Sequence, residues 1–164
     1  MLTNNHHDIF ITYRLFTRYI LNVNHFLTRA CVPIRLACVT IADWPITISL
    51  WYAYMEGQFF CATQKNAVIL KYLSKNSKCG FEVAGDLPPY RGVRGWGHAK
   101  LNETRGSEIL HILIKKYLKD EKSQLADFLL RRAENEVAIE IKPLSVFHYD
   151  YSNRMNGIKV NTNK

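Results

Sequence analysis

The sequence has few of the features that mark a special class of protein. Its longest uncharged, strongly apolar stretch, residues 44–55, is too short to span a bilayer as a helix, so no membrane contact is predicted. It has only eight glycines and five prolines in 164 residues, and 48% of its residues are hydrophobic, which excludes collagen-like, low-complexity and disordered chains. At this length we expect one soluble globular domain.

Closely spaced metal-binding and disulfide motifs are also absent. The four cysteines include no CxxC pair, and the six histidines show no ligand spacing beside them, so no metal site is predicted. Cys38, Cys61 and Cys79 lie in apolar, strand-like segments, where a free cysteine packs as a small hydrophobic residue. We therefore expect buried, reduced thiols in a cytoplasmic protein. Three charged residues interrupt the N-terminal apolar stretch, so no signal peptide is expected.

Acidic residues are outnumbered by basic ones, 14 to 22, which gives a net charge of +8. Such a balance favours anionic partners, although a solvated basic surface is its more common cause. Exposed aromatic residues between basic ones would indicate binding of single-stranded nucleic acid. Because the aromatic residues here lie in apolar segments, nucleic-acid binding is not expected.

Segments rich in β-branched and aromatic residues predict a mainly β fold. Residues 34–41 and 46–54 flank a turn at residues 42–45, which indicates a hairpin and therefore antiparallel pairing. Closing such a sheet into a barrel removes its exposed edges. Further strands are predicted over 59–63, 79–84, 93–101, 137–142 and 145–151, with Pro143 ending the sixth. Helices are predicted over 24–29, 67–74, 106–117 and 123–132, and Asn24 is the predicted N-cap of the first.

The segment Phe60–Asn66 is the first candidate site. It brings Thr63, Gln64 and Lys65 to the end of a strand that runs into a helix. Free backbone N–H groups at a helix start, together with a hydroxyl and an ammonium group, suit a phosphate. A turn that only caps the helix is the more common meaning of such a segment.

Two further segments are candidate binding surfaces. Pro88–Gly97 contains Arg91 and Arg94 among three glycines, which favours either the close approach of a planar or phosphorylated ligand or a bulged strand with surface arginines. Ile48–Tyr54 is rich in aromatic residues and fits a barrel interior or dimer interface better than a ring-binding wall.

No segment identifies a catalytic residue. The sequence has no Walker motif, nucleophile elbow or glycine-rich dinucleotide motif. Glu134 and Glu136 are interpreted as a solvated face, and His111 as a structural residue within a helix. Asp43 and Asp86 are interpreted as turn residues.

An ordered set of short segments is typical of one known family. In chain order they are Ile34–Thr40, Asp43–Pro45, Ser49–Tyr52, Gly57, Phe59–Thr63, Leu73, Lys75–Asn76, the strand from Cys79, and Val93–Ala99, which matches the pattern V-R-x-x-G-x-A. Through these segments, residues 24–155 resemble the pyridoxamine 5′-phosphate oxidase-like family, the FMN-binding split barrel. Two features depart from that family. Val68 stands where a lysine or arginine often helps to bind the phosphate, and Trp44 stands where the first hairpin usually has glycine.

The resemblance implies a six- to seven-stranded antiparallel split β-barrel of Greek-key type with two or three short helices. It implies a homodimer with FMN at the interface, so that both chains contribute to each site. Lys65, Lys71 and Arg35 are the candidates to replace the missing basic residue at position 68. The implied cofactor-binding residues are Ser49, Leu50, Trp51, Thr63, Gln64, Lys65, Arg91 and Arg94.

The implied function is that of an FMN-dependent oxidoreductase acting on an unidentified small molecule. Residues 148–155 lack the two-arginine arrangement of true pyridoxamine phosphate oxidases, which argues against that activity. The alternatives are a non-catalytic flavin carrier or sensor and a deazaflavin-dependent reductase of the same fold. The expected organisation is an N-terminal extension over 1–23, the FMN-binding domain over 24–155, and a basic tail over 156–164.

Overall fold

The computed structural model describes residues 23–118 and 122–157. They form a seven-stranded antiparallel sheet and four helices, which confirms the predicted mainly β class with short accessory helices. Most of the predicted N-terminal extension and basic tail lies outside the described residues. The strands are β1 Ile34–Val39, β2 Pro45–Leu50, β3 Ala53–Met55, β4 Gln58–Gln64, β5 Lys78–Ala84, β6 Arg91–Asn102 and β7 Glu136–Asp150. The helices are α1 (residues 23–29), α2 Val68–Lys75, α3 Gly106–Tyr117 and α4 Gln124–Leu130, with 3-10 turns at Ala133–Asn135 and Ser152–Met155.

The sheet is curled so that its two edges lie close together. Its strand order is β2-β1-β5-β6-β7-β4-β3, so the edge strands β2 and β3 are consecutive in sequence. Only Trp51 and Tyr52 separate them, and a chain this short spans at most about 11 Å from Leu50 to Ala53. The predicted single strand over 46–54 is therefore wrong, because the chain leaves one edge of the sheet and joins the other. Pairing of β1 with β5 and of β4 with β7 fits the predicted Greek-key arrangement.

Aromatic rings fill the barrel interior. Phe59 is fully buried, and its ring centre lies 4.8 Å from that of Phe81, 4.9 Å from that of Tyr54 and 5.6 Å from that of Tyr52. The hydroxyl of Tyr52 donates to the Leu27 carbonyl at 2.8 Å, which fixes α1 across one end of the barrel. Burial of these large side chains supplies much of the driving force for folding.

Helix α1 extends further toward the N-terminus than the sequence predicts. Residue 23 is already helical, so Asn24 lies inside the helix and is not its cap. The Asn24 side chain instead accepts a hydrogen bond from the Tyr54 hydroxyl at 3.2 Å. Among the described residues, no helix is long and apolar enough to cross a membrane.

Strand β7 continues past Pro143, where the sequence predicts its end. Its pairing with β4 stops at Ile141, so beyond that point β7 pairs only with β6, and a proline there removes no hydrogen bond to β4. The register with β6 also shifts between Trp96 and Gly97, which leaves Leu144 as the extra residue of a bulge. The two predicted strands are therefore one long, bent strand.

Lys116 of α3 holds a buried amine next to the barrel. Its Nζ atom lies 3.8 Å from the centre of the Tyr52 ring and has no hydrogen-bond partner among the described residues. Burial lowers the pKa of Lys116 to about 8, because desolvation disfavours the charged amine.

We expect Lys116→Met to stabilise the protein at neutral pH. The lysine pKa is 10.5 before any shift and about 8 in the folded chain, so between these values the unfolded chain binds more protons and the wild type gains stability as the pH rises. The substitution should therefore raise the Tm at pH 7 by at least about 2 °C, the shift for roughly 1 kcal/mol in a domain of this size. Calorimetry at pH 7 and pH 10 checks this, with the exposed Lys115→Met as the control. Equal gains at both pH values would contradict it.

Candidate functional site

The first candidate region is a cleft of about 250 Å³ between β2 and the start of α2, here called the α2 cleft. Thr63 contributes the hydroxyl group of its lining, and Tyr72 is the other residue there with a polar side-chain group. The remaining walls of the cleft are apolar. The lining residues are Ile46, Ile48, Thr63, Ala67, Val68, Ile69 and Tyr72.

The N-terminus of α2 borders this cleft without a side-chain cap. Ala67 is the N-cap residue and offers no side-chain acceptor, and the first turn contains no acidic residue. The first N–H groups of a helix lack intrahelical partners and lie at the positive end of its dipole. The α2 cleft therefore combines backbone donors with the Thr63 hydroxyl, which is the arrangement that binds an anion.

The two residues after Thr63 differ in the surroundings of their side chains. The Gln64 amide donates to the Glu136 carboxylate and, at 3.3 Å, to the Arg132 carbonyl. Its side chain is thus engaged within the protein. Lys65 is exposed in the turn after β4, and its backbone N–H donates to the Asn135 carbonyl at 2.8 Å. Of the two, only the Lys65 side chain is exposed to solvent.

The interpretation of Glu136 as part of a solvated face is wrong, because Glu136 is buried. Only 6% of the residue is exposed, and burial raises the pKa of its carboxyl group while the bond from Gln64 opposes that shift. Glu134 lies within the 3-10 turn at Ala133–Asn135 and is exposed, whereas Glu136 is the first residue of β7. Spacing in the sequence does not reveal this turn.

The second candidate region is a groove of about 700 Å³ on the outer face of the sheet, here called the outer groove. Directly paired residues of neighbouring strands share a face, and one row of pairs crosses four strands here. In that row Ser49 lies opposite Arg35, Arg35 opposite Glu82, and Glu82 opposite Arg94. The groove is lined by Arg35, Ala37, Thr47, Gly80, Phe81, Glu82, Arg94, Gly95, Trp96, Phe147 and His148.

The polar groups of the outer groove form one network. Arg35 pairs with Asp86 and approaches Glu82 at 3.9 Å. The Tyr149 hydroxyl donates to the Glu82 carboxylate at 2.8 Å, and burial followed by this bond raises the pKa of Tyr149 to about 12. The Arg94 guanidinium lies 5.4 Å from the Tyr149 ring centre and has no ion pair among residues 23–118 and 122–157. Arg94 is thus a charge available to a ligand or a partner.

Close packing of β6 against β7 accounts for the glycines beside Arg94. A Cβ atom at Gly95 would lie 2.0 Å from the Ser145 carbonyl oxygen, and one at Gly97 would lie 2.2 Å from that of Lys142. No side chain fits at these separations, so glycine is required by the backbone of the chain itself. The bulged-strand interpretation of this segment is therefore favoured over the close approach of a ligand.

The remaining predicted residues lie apart from these groups. The Trp51 ring stacks on Tyr117 with centres 4.9 Å apart and planes 4° apart. Leu50 packs against the barrel core, and Arg91 is exposed opposite Asp150.

Within one chain, the structure thus brings Ser49 and Arg94 to the outer face and leaves Thr63 in the α2 cleft. Sequence reasoning missed Glu82 and Tyr149, because their contact depends on strand pairing. The alternation of Phe147 and Tyr149 along β7 was the available signal for a shared face. No group of three or more metal-binding side chains occurs in the described part of the chain.

No protein-family profile and no curated protein matches this chain. Solved structures do match its fold. A conserved hypothetical protein of Mycobacterium tuberculosis gives a TM-score of 0.71 at 16% identity over 87% of this chain and 92% of that one. A candidate pyridoxamine 5′-phosphate oxidase of Listeria innocua gives a TM-score of 0.58 at 16% identity over 80% of this chain and 95% of that one. An FAD-binding protein of Mesorhizobium loti gives a TM-score of 0.59 at 17% identity over 79% of this chain and 93% of that one.

The same fold occurs in an F420 reductase, with a TM-score of 0.62 at 16% identity over 74% of this chain and 93% of that chain. The fold also occurs in the heme storage protein of Vibrio cholerae, with a TM-score of 0.58 at 11% identity over 79% of this chain and 92% of that one. The chain therefore has the split-barrel fold of pyridoxamine 5′-phosphate oxidase-like proteins, as the resemblance implies. At these low sequence identities, the similarity to the solved structures establishes the fold and nothing further.

We expect Gln64→Ala to destabilise the protein, because it leaves the buried Glu136 carboxylate without its amide donor. The loss should be about 1.5–3 kcal/mol at pH 7, the range for a hydrogen bond to a charged group. The loss of stability should be smaller at acidic pH, because the Glu136 carboxyl group is then protonated and has no charge for the amide to stabilise. Urea unfolding at pH 7 and pH 4.5 measures both effects, with Gln58→Ala on the same strand as the control. A loss no larger than that of the control would show that Gln64 has no structural role.

Proposed function

We propose that this protein binds FMN and acts as a flavin-dependent oxidoreductase on a small molecule. The observation that carries the proposal is the α2 cleft, where the uncapped start of α2 meets the Thr63 hydroxyl. An FAD-binding protein and a candidate pyridoxamine 5′-phosphate oxidase share the fold, which supports a flavin over other phosphorylated ligands. The proposed binding domain covers residues 24–155.

In the proposed complex, residues of this chain bind and shield the cofactor. The first N–H groups of α2 and the Thr63 hydroxyl donate to the phosphate, and Lys65 neutralises part of its charge. Ile48 and Tyr72 exclude water beside it. The flavin supplies the hydride chemistry when bound, and the protein sets its position and electrostatic surroundings. Ser49 lies on the outer face of β2, so it would contact the ring system of a cofactor whose phosphate is bound by the partner protomer.

A homodimer would complete this site. Thr63 and Arg94 lie in different regions of one chain, so a second protomer is needed to bring an arginine to the α2 cleft. Three large apolar side chains on the outer side of the sheet support an interface there, because Trp96, Leu144 and Phe147 are 53%, 64% and 45% exposed. Apolar groups in such a cluster favour association.

A deazaflavin-dependent reductase is the second candidate, since an F420 reductase has the same fold.

The visible spectrum of the purified protein tests both candidates. A bound oxidised flavin gives the FMN spectrum directly, and competition between FMN and the deazaflavin ranks the two cofactors. A colourless protein that leaves both spectra unchanged on titration would contradict both. Bound FMN without turnover with nicotinamide donors across a broad acceptor panel would indicate a carrier or sensor.

We expect Lys65→Ala to weaken FMN binding by about 1.5–3 kcal/mol, the range for a hydrogen bond to a charged group. Riboflavin lacks the phosphate, so its affinity should be nearly unchanged. Fluorescence titration of both ligands measures this, and Lys71→Ala on the exposed side of α2 is the matched control. Equal losses for both ligands would place Lys65 near the ring or in the scaffold. A loss only for the Lys71 variant would move the phosphate contact to Lys71.

We expect the protein to sediment as a dimer at micromolar concentration. Trp96→Glu places a charge among the exposed apolar side chains of the outer face and should shift the protein toward monomer. If each site needs both chains, FMN affinity should fall in parallel. Phe128→Glu, at an exposed aromatic position on α4, is the control for added negative charge. A wild-type monomer with bound FMN would overturn the shared site.

A further inference from the structure

Strands β1 and β5 bring two cysteines to directly opposed positions. The two strands are antiparallel, and their ladder ends with Ala37 opposite Gly80. One further step of the same register places Cys38 opposite Cys79. Both thiols belong to the same buried core, with exposures of 4% and 5%, and both are free. We propose that Cys38 and Cys79 form a redox pair that hydrogen peroxide converts into a cross-strand disulfide.

The register of β1 and β5 suits a disulfide at this position. Directly opposed residues of antiparallel strands have Cα atoms about 4.5 or 5.5 Å apart. A disulfide requires a Cα separation of about 4.4–6.8 Å, so either pair type is compatible. Because the paired part of the ladder stops at Ala37 and Gly80, the two cysteines lie just beyond it, where small adjustments break no pairing between β1 and β5.

Cys38 and Cys79 retain a small accessible surface that Cys61 lacks. Their exposed fractions are 4% and 5%, and both residues border a cavity of about 550 Å³ that also touches His98 and Leu144. Cys61, on β4, has no exposed surface and does not line this cavity. Cys38 and Cys79 are therefore more accessible than Cys61 to a small, uncharged oxidant such as hydrogen peroxide.

The surroundings make the thiols slow to react. Burial raises the pKa of Cys38 and raises that of Cys79 to about 11, and the neighbouring Cys38 adds to the shift of Cys79. The thiolate is the nucleophile, so the rate should increase roughly tenfold per pH unit well below pH 11. This keeps the pair reduced except under sustained exposure to peroxide.

The reaction balances with peroxide as the sole oxidant. One thiolate attacks a peroxide oxygen, the O–O bond breaks, and the hydroxide released takes up a proton to become water. The resulting sulfenic acid is then attacked at sulfur by the second thiolate, the S–O bond breaks, and a second water leaves. Two thiols and one peroxide thus give one disulfide and two waters. The inference does not rest on the proposed flavin binding.

Peptide mapping of the full-length protein tests the pair directly. The protein is treated with hydrogen peroxide at pH 7 and pH 9, unfolded in iodoacetamide, and digested with trypsin and chymotrypsin. Both proteases are needed because the sequence has no tryptic site between Cys38 and Cys61. We expect a Cys38–Cys79 linked peptide that dithiothreitol reverses, forms faster at pH 9, and leaves Cys61 alkylated.

Single variants separate this pair from other oxidation. Cys61→Ala and Cys31→Ala should keep the cross-link, whereas Cys38→Ala should abolish it. If Cys38→Ala does not fold, the wild-type map and the two control variants still decide the question. A Cys61–Cys79 link, or sulfinic acid at either proposed partner in place of a link, would overturn the proposal. So would full alkylation of both partners after an exposure to peroxide that oxidises the exposed Cys31.

Discussion

The burial of Tyr52 is the constraint on which the rest of the structure depends. Tyr52 lies in the two-residue connection between the edge strands β2 and β3, and it has no exposed surface. Its hydroxyl binds the Leu27 carbonyl of α1, its backbone N–H donates to the Tyr117 hydroxyl of α3 at 3.3 Å, and its ring packs on Phe59. One residue thus joins both helices to the barrel at the point where the sheet edges meet.

Closure of the barrel creates both candidate regions, because β2 borders each of them. Its inward-facing residues Ile46 and Ile48 form a wall of the α2 cleft. Its outward-facing residue Thr47 lines the outer groove with Arg94. A residue of one face cannot reach the other face within the same chain. The separation of the predicted site residues is therefore a property of the fold, and it is the physical reason for proposing that two protomers share each site.

The sequence predicts the elements that depend on the local pattern of apolar and polar residues. It does not reveal the features that depend on closure of the barrel. Alternation located most strands, and apolar surroundings predicted the burial of the cysteines. The break at Trp51 carries no local signal, since aromatic residues favour strands and only the meeting of the two edges interrupts the chain there. Pro143 is likewise tolerated because β4 stops pairing before it. The engagement of Gln64 with Glu136 joins residues 72 apart, which no spacing rule detects.

The valine at position 68 determines what kind of anion site this chain is able to form. Val68 is exposed at the start of α2 and offers no side-chain donor, so the phosphate contacts fall on backbone N–H groups and the Thr63 hydroxyl. Neutral donors bind a dianion less strongly than charged ones. Arg35 is unsuited to replace the missing charge, because it lies on the outer face and is paired with Asp86 and Glu82. Lys65, in the turn before α2, and Lys71, on the exposed side of α2, are the two candidates that remain, and under the proposed function Lys65 carries most of the charge-dependent affinity.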